Sequence, residues 1–478
     1  MRSGAPRTLL AVAAAVLLIV WQLHEGSRAH ALFGDFRAFY CAASAVAHGA
    51  NPYTASAIYA CERAPMPLGL YRASPGVAVP APLPGYALLA LVPIAVLPYL
   101  AACVAWLLIL IATVFASAKA LALLLDRSFD AMLWTLAAGF AIISLPFGEL
   151  GSVIVAAVLW MAVALRRGAW AWAALAGGVA TILPHVALPV LLGAFLFVPP
   201  MRSRIAALAA VLVVLDLACS GPAVAISYLR EVLPAHAHSE IGSTAQYGMT
   251  WILHGLHASD RAAIFGGELS YVIMTLLGLV AARSLMNRRN DAAYAALVPP
   301  AFAVLGGTFM HYTQIMVAIP AALLLYRQSA GSARAIFGAA FLLLVVPWAW
   351  VLGAPVLLVV YAVVPGMLAA WVLRRSSSSA LRVALASTVL TGVLLVAAWH
   401  FGPGLDTHVH AVRAHGDLAQ SSWEVFVRSQ RASTGIVWWI AKAPTWIGLA
   451  LLALGCAYVL SKKDFEAPVV IEQVPVTP

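Results

Sequence analysis

The chain has 478 residues, of which 63% are hydrophobic and 10% charged, with a formal net charge of +10. A mean hydropathy of +0.94 excludes a soluble globular protein, whose apolar share is nearer half, and marks an all-α polytopic membrane protein. The basic residues stand as short pairs between apolar runs, which is how membrane topology is set and not how a nucleic-acid backbone is bound. There is no GxGxxG, no HExxH and no zinc-type cysteine spacing, and none of Lys119, Lys442, Lys462 and Lys463 follows a glycine as a P-loop would require.

Residues 1–21 join a basic start to an apolar core, and Ala29-His30-Ala31 has the small-x-small form of a signal cleavage point. A retained first helix is the preferred reading, because the later spans make a cleaved signal unnecessary. Either way the next loop, 24–81, is expected outside. Within it Phe36, Phe39, Tyr40, Ala43, Val46 and Ala47 recur at helical spacing until Gly49 and Asn51-Pro52. The spacing predicts a short amphipathic helix lying on the membrane surface. Asp35 stands where its N-cap would be, so its carboxylate either caps the first turn or acts as a catalytic base, and the roles are compatible. Cys41 and Cys61 share this loop, where a bond could form in an oxidising compartment.

Residues 82–98 are broken by Pro82, Pro84, Pro93 and Pro98 and are expected to form a re-entrant or interfacial hairpin. If they crossed, the pairs Arg166-Arg167 and Arg374-Arg375 would land outside, against the positive-inside rule. Apolar segments follow at 99–125, 130–146, 150–165, 170–183, 185–199, 204–219, 269–286, 292–308, 312–327, 335–351, 354–373, 383–400 and 443–460. They imply a bundle of about 12–14 transmembrane helices. Residues 1–460 then make one integral membrane domain, with further outer loops at 220–268 and 401–442, and 461–478 make a cytoplasmic tail. This orientation puts most of the 28 lysines and arginines inside and all 13 histidines at the outer face, although histidine was not used to choose it.

Polar groups near the outer boundary are costly there and are functional candidates for that reason. Besides Asp35 they include Glu149, in the break Pro146-Phe147-Gly148-Glu149-Leu150-Gly151, and Asp216, which fits a capping or snorkelling role better. His185, between Pro184 and Pro189, and His311, in His311-Tyr312-Thr313-Gln314, each begin a span at this face; a structural bond to a carbonyl is the competing reading for both. Arg72 is an outer cation or a lipid-headgroup anchor. The pairs His236/His238 and His408/His410 lack helical ligand spacing and a companion cluster, so no metal is assigned. One carboxylate at the membrane with cations and histidines around it suits group transfer from a lipid phosphate to a hydroxyl. The carboxylate would take the hydroxyl proton, and the phosphate leaving group would need positive charge more than a general acid.

The run Gly34-Asp35-Phe36, Phe39-Tyr40, His48-Gly49-Ala50-Asn51-Pro52-Tyr53 resembles the first outer loop of glycosyltransferase family 87, polytopic GT-C-type enzymes. Pro82-Leu83-Pro84-Gly85-Tyr86, Gly148-Glu149-Leu150-Gly151, Leu183-Pro184-His185 and His311-Tyr312 resemble its later motifs in the same order, with Glu149 in place of a usual Gln and His185 in place of a usual Lys. The resemblance implies an inverting, metal-independent transfer of a hexose, mannose first, from a polyprenyl-phosphate sugar to a lipid- or glycan-linked acceptor. No cofactor is implied, and the partners are donor, acceptor and membrane lipid, without nucleic acid. The site would face the periplasm or exterior of the plasma (inner) membrane. Asp35 would be the base, with Tyr40, Arg72, Glu149, His185, His311 and Tyr312 as substrate contacts, and loop 401–442 would cover the acceptor. Two other readings stay open. A transporter or flippase would show inverted repeats and midplane polar residues, whereas here the acids sit at helix ends and no repeat is evident. An inactive accessory subunit would keep the architecture for partner binding.

Overall fold

The computed structural model of the protein describes residues 32–66, 69–137, 140–346, 416–429 and 435–462, with isolated positions elsewhere. The first apolar segment, the Ala29-His30-Ala31 site, the segments 354–373 and 383–400, the histidines from His400 to His415 and nearly all of the tail lie outside the described residues. Among those described, every regular element is helical, apart from isolated bridges such as Gln246 with His311.

Proline and glycine decide where the apolar runs break. The first outer segment gives α1 (Gly34–Ala47) and α2 (Ala55–Arg63), joined by a Cys41–Cys61 disulfide. Residues 82–98 give α3 (Gly85–Ala95), 11 residues long. At the α-helical rise that is about 16 Å, half the hydrocarbon core. Then come α4 (Tyr99–Leu125), α5 (Phe129–Ala137), α6 (Phe140–Phe147), α7 (Gly151–Arg166), α8 (Trp170–Ala180) and α9 (Pro184–Phe197). The 130–146 run is helical on both sides of residues 138–139, which lie outside the described residues.

The next helix, α10 (Arg202–Ser227), buries none of its residues and is interrupted at Gly221, where φ is 75°. It passes through a π-turn (Tyr228–Val232) into α11 (Leu233–Ser239), and α12 (Met249–Gly255) follows. Residues 220–268, expected as an outer loop, carry helix over much of their length, and their first part extends the preceding helix past the Gly221-Pro222 kink. The rest is α13 (Asp260–Arg289), α14 (Tyr294–Ala303), α15 (Ala318–Gln328), α16 (Gly331–Val345), α17 (Ala419–Ser429) and α18 (Ile436–Ser461). Among the described residues four helices are long and apolar enough to cross a membrane: Tyr99–Leu125, Pro199–Ser239, Asp260–Arg289 and Trp438–Ser461. Shorter apolar helices complete the bundle, with α13 packed on α14, α16 on α18 and α4 on α7.

The two ends of the bundle differ. At one end arginines cap the C-termini of neighbouring helices, whose last carbonyls have no intrahelical donor. Arg166 donates to Leu124 O (2.7 Å) and pairs with Asp291 (2.6 Å); Arg289 donates to Gln328 O (2.8 Å) and Arg288 to Leu460 O (2.6 Å). Glu149 stands before the first residue of α7 and Arg166 is its last, so this end lies about 24 Å from Glu149 along that helix. The basic residues that follow the positive-inside pattern are thus also the mortar of one face.

Candidate functional site

At the other end a cavity of about 1040 Å³ opens between α1, α3, α9, α10 and α11, and its lining is divided. Asp35, Glu149, His185, His236, Glu240 and His311 line one part. Leu188, Leu212, Val213, Leu217 and Leu229 line another. Val213 and Leu229 are 58% and 64% exposed, so the apolar wall continues onto the outer surface of the bundle.

Asp35 comes from α1, which is buried in the core and does not lie on a membrane surface: Phe36 and Ala38 are each 1% exposed. The amphipathic pattern was right about the helix, but neighbours cover both faces, since even Arg37 is buried and donates to Cys61 O. The cap reading of Asp35 is also corrected. Phe33 occupies the N-cap in a left-handed conformation (φ 58°), and Asp35 is the second helical residue. Phe33 N donates to Pro146 O (2.6 Å), which moors the start of α1 to the turn that carries Glu149.

That turn needs its glycines. Gly148 has φ +71°, and a Cβ there would stand 2.5 Å from Phe36 Cβ; a Cβ on Gly151 would stand 2.9 Å from Thr313 O. The turn is therefore wedged between the Asp35 helix and the His311–Gln314 segment. Trp106 Nε1 donates to Gly148 O (2.8 Å), and Glu149 Oε2 accepts from Gly151 N (3.0 Å), so Glu149 also serves the N-terminus of α7.

His311 is held by its backbone and by its ring. Tyr247 N donates to Met310 O (2.7 Å), Tyr312 N to Ala245 O (3.1 Å), and His311 N to Gln314 Oε1 (3.2 Å). Its Nε2 faces Glu240 Oε2 at 3.4 Å, and Glu240 Oε1 accepts from Trp423 Nε1. His185 Nε2 donates to the same Gln314 Oε1 (3.0 Å), which joins the two histidines through one amide.

The charges follow from this crowding. Burial, and next the Glu149 carboxylate, push Asp35 up to about 7 against the opposing pull of His311. Burial opposes a charge on His311, but its bond to Glu240 and the nearby Glu149 and Asp35 outweigh it and raise the ring to about 9. Glu240 moves the other way, down to about 2, held ionised by His311 against its burial. The Tyr312 phenol is raised by burial and by Asp35 and Glu149, so it remains a hydrogen-bond donor beside both acids. The cavity thus holds, near neutrality, a carboxylate able to take a proton and an imidazolium able to meet an anion.

Not every expected residue is here. Arg72 is exposed and its Nε donates to Arg63 O (2.7 Å); it does not line the cavity. Tyr40 and Tyr312 are also off the lining, and the Tyr40 hydroxyl donates to Leu97 O (2.8 Å) beyond the end of α3. Asp216 lines the cavity and accepts from Tyr86 N (3.1 Å), capping the start of α3. The sequence reading missed Glu240, Gln314 as a bridge, and Trp423. Glu240 sat in a stretch taken for loop, where an acid carries no signal; its nearness to His236 and His238 was the available clue. Among the described residues no group of three or more His, Cys, Asp or Glu side chains is arranged to hold a metal ion.

Fold and site together define a polytopic helical membrane protein with a cavity of acids and histidines that continues onto an apolar flank. Residues 84–311, just under half of the chain, match the model of glycosyltransferase family 87, which supports the resemblance read from the sequence and a membrane glycosyltransferase in general. The matched span carries Glu149, His185, Glu240 and His311; Asp35 and Trp423 lie outside it. No curated protein matches the chain.

Proposed function

We propose that the protein transfers a hexose, mannose first, from a polyprenyl-phosphate sugar to a hydroxyl of a lipid- or glycan-linked acceptor, with inversion. The reading is carried by the divided cavity, which offers charge to a sugar phosphate and an apolar flank to a hydrocarbon tail. Asp35 takes the proton of the acceptor hydroxyl as its oxygen attacks the anomeric carbon. The bond from that carbon to the phosphate oxygen breaks, and the polyprenyl phosphate leaves with the electron pair. His311, protonated near neutrality, meets the phosphate with charge and a hydrogen bond, so no general acid is required. His185, neutral and with its Nε2 proton given to Gln314, offers Nδ1 as an acceptor to a sugar hydroxyl, Glu149 orients another, and one indispensable carboxylate suffices. Arg72 and Tyr40 act on the lining only through the segments they hold.

The site is assigned to the outer face of the plasma (inner) membrane, with the arginine-capped end in the cytoplasm and the 82–98 hairpin re-entrant. The Cys41–Cys61 bond favours this, because such bonds persist in oxidising compartments. The test is a transfer assay on membranes with a panel of radiolabelled polyprenyl-phosphate sugars. Transfer from one of them supports the reading, and no transfer from any refutes it.

A further inference from the structure

The helix α17 lies beyond the matched span, yet it bridges both walls of the cavity. On the Asp35 side Ala419 N donates to Tyr53 O (3.0 Å), and Ala78 N donates to Ser422 Oγ (2.9 Å). On the opposite side Arg428 pairs with Asp260 at 2.9 Å, and the Trp423 indole N–H donates to Glu240 Oε1. The other oxygen of that carboxylate is the one that faces His311 Nε2 at 3.4 Å.

A carboxylate turns easily about its last torsion, which has broad wells. At 3.4 Å the pair is also looser than a closed charged hydrogen bond, so its strength depends on where Oε2 points. Glu240 is 3% exposed, and the indole is the donor that fixes its second oxygen. We propose that Trp423 is a positioning residue that aims Glu240 at His311 and so ties the seating of α17 over the cavity to the charge His311 offers a substrate. The groups that face His311 are Glu240, Glu149 and Asp35, with His236 and His185 as neighbours that burial keeps neutral. The first three hold its proton, and among them only the orientation of Glu240 is set from α17. A Trp423 that merely packs, as it does against the Phe426 ring at 5.0 Å, would leave His311 indifferent to the loss of its N–H.

The assignment of His311 to the donor phosphate rests on the proposed function; the coupling itself does not. The test is therefore a titration of the full chain in nanodiscs with ring-¹³C histidine, the His311 signal being assigned with His311→Gln. Trp423→Phe keeps the ring and loses the donor, and should lower the His311 midpoint by about one pH unit. Glu240→Gln should lower it further, and the double variant should match Glu240→Gln alone, as expected for residues acting in one chain. An unchanged midpoint in Trp423→Phe, or fully additive shifts, overturns the proposal. A measurement on the unaltered protein guards against a variant that does not fold: the Trp423 indole N–H signal should titrate with the His311 midpoint, and a signal flat across that range overturns the proposal equally. If no donor is used, the transfer reading falls while this titration still decides the coupling.

Discussion

Gly148→Ala gives the most local test of how the site is assembled, and Gly49→Ala is its built-in control. Both glycines are left-handed, with φ of +71° and +70°, so each substitution incurs the same backbone term, about 1–2 kcal/mol. They differ in surroundings. A Cβ at Gly49 meets nothing within 4 Å, whereas one at Gly148 stands 2.5 Å from Phe36 Cβ and 3.0 Å from Phe33 Cδ1. Neither neighbour is the free end of a flexible chain, so overpacking adds about 1–3 kcal/mol. Reversible denaturation in detergent should show a loss of about 1–2 kcal/mol for Gly49→Ala and about 2–5 kcal/mol for Gly148→Ala. Because the displaced atoms belong to the helix that carries Asp35, turnover of Gly148→Ala should fall at least tenfold under conditions where it stays folded, while Gly49→Ala keeps most of its activity. Equal losses in the two variants would refute the wedge of the Glu149 turn between α1 and the His311 segment.

The pH profile of kcat/KM should be bell-shaped. Asp35, raised to about 7, must lose its proton to act, so the rate rises with pH through that value. His311, raised to about 9, must keep its proton, so the rate falls above it; a flat profile from 6 to 10 would contradict both roles. His311→Ala should weaken use of the donor more than use of the acceptor, read as separate KM values; an effect confined to the acceptor would remove His311 from the phosphate. Cys61→Ser opens a disulfide that closes a separation of 20 residues and should cost about 3 kcal/mol in denaturation, with the loss reproduced by reductant on the unaltered protein.

Asp35, Glu149, His185 and His311 were legible because each follows a proline or glycine break or opens a helix, and a polar residue there has little reason to exist in an apolar chain. What the sequence hid was depth. The spacing of Phe36, Phe39 and Tyr40 defines a helix with an apolar side, but only packing against Trp106 and Tyr99 reveals that α1 is enclosed and not surface-bound. Glu240 and Trp423 were hidden for a different reason. They lie 183 residues apart and meet only because α17 returns over the cavity, a long-range contact that no local period encodes. Arg72 was overvalued because a cation beside a proline-rich hairpin looks the same whether it faces a phosphate or, as here, the carbonyl of Arg63.

Asp35→Asn tests the central claim most directly. Asparagine is nearly isosteric, and the N-cap is occupied by Phe33, so the change removes the proton acceptor while helix, cavity and donor binding persist. Loss of a positioned base costs on the order of 10² to 10⁴ in rate, far beyond a fractional packing defect. The account predicts a folded protein that binds the polyprenyl-phosphate sugar and fails to transfer it. A purified Asp35→Asn protein that keeps more than about a tenth of the unaltered turnover would contradict the account and pass the role of base to Glu149.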